Sequence, residues 1–133
     1  MSSFSVLREI ARNDLIVSAT VNGRTLRMVA SSVFEGEPPR VIWSDLTRVL
    51  GVKLLRRMRM TRTLRTKFGE KISHLRIDGR EELAIPLAWA AGAMAAEPGL
   101  PDGLEMELAH AAENAVSRAA AVVLGVLPAE GRA

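Results

Sequence analysis

Cysteine is absent from the 133 residues, which excludes disulfides and zinc sites built on thiolates. Histidine is nearly absent as well. His74 and His110 are the only two, far apart in the chain and without a local ligand pattern, so no metal is expected. Aromatic residues make up 4% of the chain, and tyrosine is missing. A protein that reads single strands or RNA by stacking bases on aromatic rings needs more of them. No apolar run reaches the roughly 20 residues of a membrane-spanning helix. The longest candidates are Leu83–Ala96, interrupted by Pro86, and Ala119–Leu127. The start, Met1-Ser2-Ser3-Phe4, lacks the cationic and apolar regions of a signal peptide. The expectation is a cytoplasmic, nucleoid-associated protein with no membrane partner.

Enzyme signatures are missing too. There is no glycine-rich phosphate loop, no Gly-x-Ser-x-Gly and no His-Glu-x-x-His. Asp14, Asp45 and Asp78 fall at turns or helix starts, where a structural role is expected. Glu81 and Glu82 are adjacent, so in a strand they point to opposite faces. His74 reads as a half-exposed strand residue and His110 as a surface residue beside an alanine-rich stripe. The reading is of a protein that is not an enzyme and uses no cofactor.

Apolar residues make up 48% of the chain and charged residues 25%, the mixture of a globular domain able to build a core without staples. The net charge of +3 hides a strong asymmetry. Residues 53–80 carry ten Lys and Arg against two acids, and residues 81–133 carry two against eight. The middle of the chain is therefore at +8 and the tail at −6. Between Lys53 and Arg76 the only acid is Glu70, so local ion pairs cannot neutralise the run. Glu97-Pro98-Gly99-Leu100-Pro101-Asp102-Gly103 is the nearest thing to a boundary. It divides a domain over 1–98 from a C-terminal helix over 99–133 that serves docking or dimerisation.

Local patterns predict an α+β fold. Ser5–Asn13 reads as a short helix. Leu15–Val21 and Arg24–Ser31 flank Asn22-Gly23, a pair suited to a type I′ turn, and predict a hairpin. A loop over Phe34–Arg40 leads to an extended Val41-Ile42-Trp43. Ser44 then reads as the N-cap of a helix over Asp45–Leu50, closed by Gly51. Trp43 is expected beneath this helix, with Leu46, Leu50 and Leu75 around it. Val52–Phe68 reads as a second helix with Leu54, Met58, Thr61 and Phe68 on one face, and the clustered threonines predict a break near Met60–Thr63. Lys71–Ile77 and Arg80–Ile85 flank Asp78-Gly79 as a second hairpin. Pro86 suits the first turn of a helix over Leu87–Ala96. Leu104–Leu124 carries Leu104, Leu108, Ala111, Ala115 and Ala119 at spacings of three and four, an amphipathic helix.

A short helix ending in Leu50-Gly51-Val52 and followed by a basic helix has the form of a helix-turn-helix, with the second hairpin as a wing, a winged-helix-like arrangement. The second helix would present its cations to the major groove of duplex DNA. The expected DNA-binding set is Lys53, Arg56, Arg57, Arg59, Arg62, Arg65 and Lys67, with Arg76 and Arg80 (and Lys71 near them) on the wing. Most would position the protein on phosphates, and Arg56 and Arg59 would reach guanine edges. Arg57 stands where such helices usually bury an aliphatic, and Thr47 where the first helix usually has a small alanine.

The order of these elements resembles the N-terminal domain of phage antirepressors and the related BRO family. That family commonly reads aromatic-x-x-x-Asp-Val-x-x-x-Leu-Gly. Val41-Ile42-Trp43-Ser44-Asp45-Leu46-Thr47-Arg48-Val49-Leu50-Gly51 is similar, with the Trp two before the Asp and Leu46 in place of Val. The resemblance covers about residues 15–96. It implies a small α+β domain of phage or prophage origin that binds DNA or a regulator. The expectation is a DNA-binding transcriptional regulator that forms a homodimer. The alternative is an antirepressor-type module that binds a repressor or other regulator protein through the same surface.

Overall fold

The computed structural model of the chain describes residues 7–9, 15–30 and 36–125. The fold is α+β. In chain order it comprises β1 (Leu7–Glu9), β2 (Ile16–Val21), β3 (Arg24–Val29), β4 (Arg40–Ile42), α1 (Trp43–Val49), α2 (Leu54–Phe68), β5 (Ser73–Ile77), β6 (Arg80–Pro86), α3 (Leu87–Ala96) and α4 (Leu104–Val123). The strands form one sheet in the order β1-β5-β6-β4-β3-β2. Five of them pair antiparallel, and β1 adds parallel to β5 with Leu7 opposite His74. Residues 7–9 are thus strand, where a helix was expected. The rest of that expected helix lies outside the described residues.

Both predicted hairpins form. Asn22 and Gly23 have φ of 53° and 72°, Asp78 and Gly79 of 51° and 79°, the left-handed pairs a type I′ turn requires. The second hairpin is built into the sheet, because β5 also bonds β1 and β6 also bonds β4. Arg76 and Arg80 lie exposed on either side of its turn.

Strand β4 has only three residues, and α1 begins directly after it between β3 and β6, packing on both. Asp45 completes the seam that the short strand leaves open. Its carboxylate accepts the Arg27 backbone N–H at 2.8 Å and the Arg27 Nε at 2.8 Å. Ser44 was expected to cap α1, but the helix starts two residues earlier than expected, at Trp43. Its N-cap residue is Ile42, without a side-chain cap, and the Ser44 hydroxyl donates to Glu82 Oε1 at 2.8 Å. The far end of α1 closes as predicted. Gly51 (φ 70°) donates its N–H to the Arg48 carbonyl and Val52 to that of Thr47, the bond pair of a Schellman motif. The Asn22 side chain also donates to the Val49 carbonyl at 2.8 Å, so the first hairpin turn caps the same helix.

One face of the sheet carries the main core. Val21, Leu26, Met28, Val41, Leu83 and Ile85 pack there against Leu46, Val49 and Leu50 of α1, with α3 and α4 completing the layer. The other face carries Val29, Ile42, Leu75, Ile77 and Ala84, as the alternation of neighbouring strand residues demands. Leu75 therefore lies across the sheet from Trp43, not around it. The apolar stripe of α4 (Leu104, Leu108, Ala111, Ala112, Ala115 and Ala119) is buried against its own chain, principally β2 and α3. Small alanines let the helix lie close to the sheet. Docking, one of the two roles expected for residues 99–133, is the one this stripe performs.

Candidate nucleic-acid interface and its flanking groove

Helix α2 stands apart from the rest of the fold. Leu64 is its only buried residue, and Arg57, Met60 and Thr61 are half-buried beside it. The packed face is therefore rotated from the expected one. Leu54 and Met58, expected to share one face with Thr61 and Phe68, are 59% and 58% exposed. The helix also runs unbroken through Met60–Thr63. Thr61 bends its hydroxyl back to the Arg57 carbonyl at 2.8 Å, and Thr66 does the same to Arg62 at 2.9 Å. This back-bonding satisfies the threonines inside a helix, where propensity alone argued for a break.

Three side-chain ties hold α2. Trp43, largely buried at the start of α1, donates its Nε1–H to Thr61 Oγ1 at 2.8 Å. Phe68 meets Trp89 of α3 edge to face, with centroids 5.4 Å apart. Arg56 forms a two-pronged ion pair with Glu97 at 2.6 and 2.8 Å. The start of α2 thus meets the end of α3, and its end meets α3 near its start, so the two helices run antiparallel. The Arg56 guanidinium holds the Glu97 carboxyl below its usual range, and Glu97 in turn raises Arg56.

The other predicted cations fall as follows. Lys53, Arg59, Arg62, Arg65 and Lys67 are exposed along α2 and show no ion-pair partner among the described residues. Arg57 lies at the helix edge, half-buried. Leu55 is 71% exposed and sits on the outer face with Arg59 and Arg62. Of the two arginines expected to reach bases, Arg59 is exposed and unpaired among the described residues, whereas Arg56 is already held by Glu97.

Between α2, α1 and β6 runs an open groove of about 650 Å³. Trp43 and Leu83 lie at its floor and Leu54 and Met58 along its α2 side, with Arg48, Arg62 and Arg65 at its edges. Arg48 is the cation that sequence reasoning passed over. It pairs with Asp45 at 3.2 Å, three residues earlier on the same helix, a spacing that was legible in the sequence. Arg48 also lines a second cleft of about 400 Å³ at the hairpin ends, together with Arg80 and Asp78. It therefore links the basic surface of α2 to the turn of the second hairpin.

Beneath this surface lies a network of charges. Arg27 binds Asp45 and also Glu82, at 2.9 Å, and Ser44 binds the second oxygen of Glu82. Hydrogen bonds donated to Asp45 hold the Arg27 guanidinium more firmly protonated than usual. Asp45 is buried and Thr47 fully so, and Thr47 spends its hydroxyl on the Ser44 carbonyl. These groups stitch α1 to the sheet. His74 on β5 is pushed below its usual pKa by burial and by the nearby Arg65, with partial opposition from Glu81. Among the described residues no cluster of potential ligands could hold a metal ion, and no helix is long and apolar enough to cross a membrane.

No family model, no curated protein and no solved structure matches this chain.

Proposed function

We propose that this protein binds duplex DNA as a transcriptional regulator, with α2 as the helix that enters the major groove. The observation that carries the reading is the state of α2: a helix of fifteen residues, fixed by one edge, whose outer face offers Arg59, Arg62, Arg65 and Lys67 to solvent. Unpaired cations on a rigid helix gain affinity by releasing counterions from phosphates. The Schellman turn at Gly51 fixes the approach of α2 from α1, as a helix-turn-helix requires. Arg76 and Arg80, on either side of the Asp78-Gly79 turn, are the wing contacts of this reading. Arg59 and Arg62 are the candidates for guanine edges. Arg56 acts instead through Glu97, pinning α2 to α3. The order of hairpin, paired helices, hairpin and helix is also what the antirepressor resemblance implies, which supports a phage-derived regulator.

The test is an electrophoretic shift with random and genomic duplexes across a salt series. Some six phosphate contacts would give a log–log salt slope of about −5. Arg59→Ala with Arg62→Ala and Arg65→Ala is expected to abolish binding while circular dichroism stays that of the parent, since all three side chains are exposed. Unchanged affinity of that triple variant would sink the reading.

A further inference from the structure

We infer that the groove between α2, α1 and β6 receives an acidic amphipathic helix from a partner protein. The inference does not rest on DNA binding: Arg62 and Arg65 border both surfaces, but Leu54 and Met58 belong to the groove and not to the set proposed for DNA.

The groove has the chemistry of a half-made helix interface. Leu54 and Met58 stand one turn apart on α2, both more than half exposed, and Trp43 and Leu83 close the floor behind them. Thr61 and Arg65 continue the same ridge at helical spacing, so the row extends over about 16 Å. Across the gap stand Ser44, Thr47 and Arg48 of α1, again one turn apart. Two helices and a strand therefore leave a lane that a third helix would fill, ridge to groove.

The charge around the lane selects the partner. Arg48, Arg62 and Arg65 border it. Of the two carboxylates there, Glu82 has one oxygen on Ser44 and the other on Arg27. A helix with leucines facing Leu54 and Met58 and glutamates beside them would bury the exposed apolar pair and answer the arginines. A phosphodiester strand would answer the arginines but leave the apolar pair uncovered. No base could stack on Trp43, whose ring is largely buried and whose N–H is already bound to Thr61. An extended peptide has no edge to join, because β6 is bonded on both sides, to β5 and to β4. Helix-in-groove recognition is the mode that remains.

The probe is a fluorescein-labelled synthetic helix of roughly 18 residues, about five turns, with leucines at i, i+4, i+7 and i+11 and glutamates flanking them. Its anisotropy is followed against the full chain, beside a scrambled peptide of the same composition and a labelled duplex. The patterned helix is expected to bind with a micromolar Kd and the scrambled one at least about tenfold more weakly. The double variant Leu54→Ser and Met58→Ser, which keeps every charge, is expected to weaken the patterned peptide at least about tenfold. It should leave the melting curve and duplex binding unchanged, because both side chains are exposed. Equal binding of scrambled and patterned peptides, or equal peptide binding by the serine variant, overturns the inference. Loss of duplex binding in the serine variant, without peptide binding by the parent, would make the groove a nucleic-acid surface and overturns it as well. Peptide binding without any duplex binding would leave this groove standing while the DNA reading fails.

Discussion

Asp45 shows how much one carboxylate can hold. It joins a strand backbone, the Arg27 guanidinium and Arg48, all while buried. Asp45→Ala strands Arg27 beside Glu82 alone and leaves the β3 N–H unmet. A loss of about 3 kcal/mol is expected in urea unfolding, the lower end for a broken buried pair because Arg27 keeps some contact with water. Trp43 separates packing from hydrogen bonding. Trp43→Phe keeps a ring in the core but loses the N–H to Thr61, at a cost of about 1 kcal/mol, whereas Trp43→Ala costs about 3–5 kcal/mol. His74 reports on pH. Its folded pKa lies below that of an exposed histidine, so the native state binds its proton less readily than the unfolded chain does. The contribution of His74 is therefore complete above that value and is lost as the pH falls through it toward the depressed folded pKa. His74→Gln is expected to flatten this part of the stability–pH curve, and thermal melts between neutral and mildly acidic pH would show it. Single residues with a strong local signal, such as the Asn22-Gly23 and Asp78-Gly79 turns, were legible in the sequence because positive φ selects so few residue types. The tie from Asp45 to Arg27 was not, because Arg27 stands on a strand 18 residues before it.

At the scale of elements, the boundaries that rest on backbone chemistry emerged from the sequence to within a residue or two. Gly51 ends α1 by its left-handed φ, and Pro86 precedes α3. Gly51→Ala would meet no neighbouring atom, so its cost is conformational, about 1–2 kcal/mol. A larger loss in denaturant unfolding would point to a change in the α1–α2 connection beyond that strain. The face of α2 was less legible. Apolar periodicity put Leu54, Met58, Thr61 and Phe68 on one face, yet a helix this rich in arginine is oriented by its ties, whose partners Trp43, Glu97 and Trp89 lie elsewhere in the chain. Arg56→Ala cuts one tie and leaves the core untouched. The expected result is faster amide exchange in the first turns of α2 at nearly unchanged global stability, since the Arg56 guanidinium faces solvent and its ion pair is screened.

For the whole molecule, the decisive feature is that α4 belongs to the core of its own chain. Deleting residues 102–133 removes Leu104, Leu108 and four buried alanines from the layer above β2 and β3. The truncated chain is expected to be unfolded by circular dichroism, rather than a folded domain freed of a dimerisation arm. Light scattering on the full chain tests the homodimer separately, because the stripe that would have joined two copies is already occupied. The sequence made the amphipathic pattern of α4 plain. It could not show which surface would cover that pattern, since an apolar stripe fits its own sheet or a second helix equally well. The charge division survives folding: exposed cations along α2 and at the second hairpin turn, exposed acids such as Glu105 and Glu113 on the outside of α4.

The slight attachment of α2, with Leu64 alone buried, sets apart the part of the chain that holds the fold from the part we propose meets DNA. Leu55, Arg59, Arg62 and Thr66 can change without disturbing a core contact, so mutations there escape the usual toll on stability. On the proposed reading, the contacts to a target can be exchanged while the scaffold is kept. A library randomised at these four positions should express and fold almost as uniformly as the parent, and differ only in what it captures.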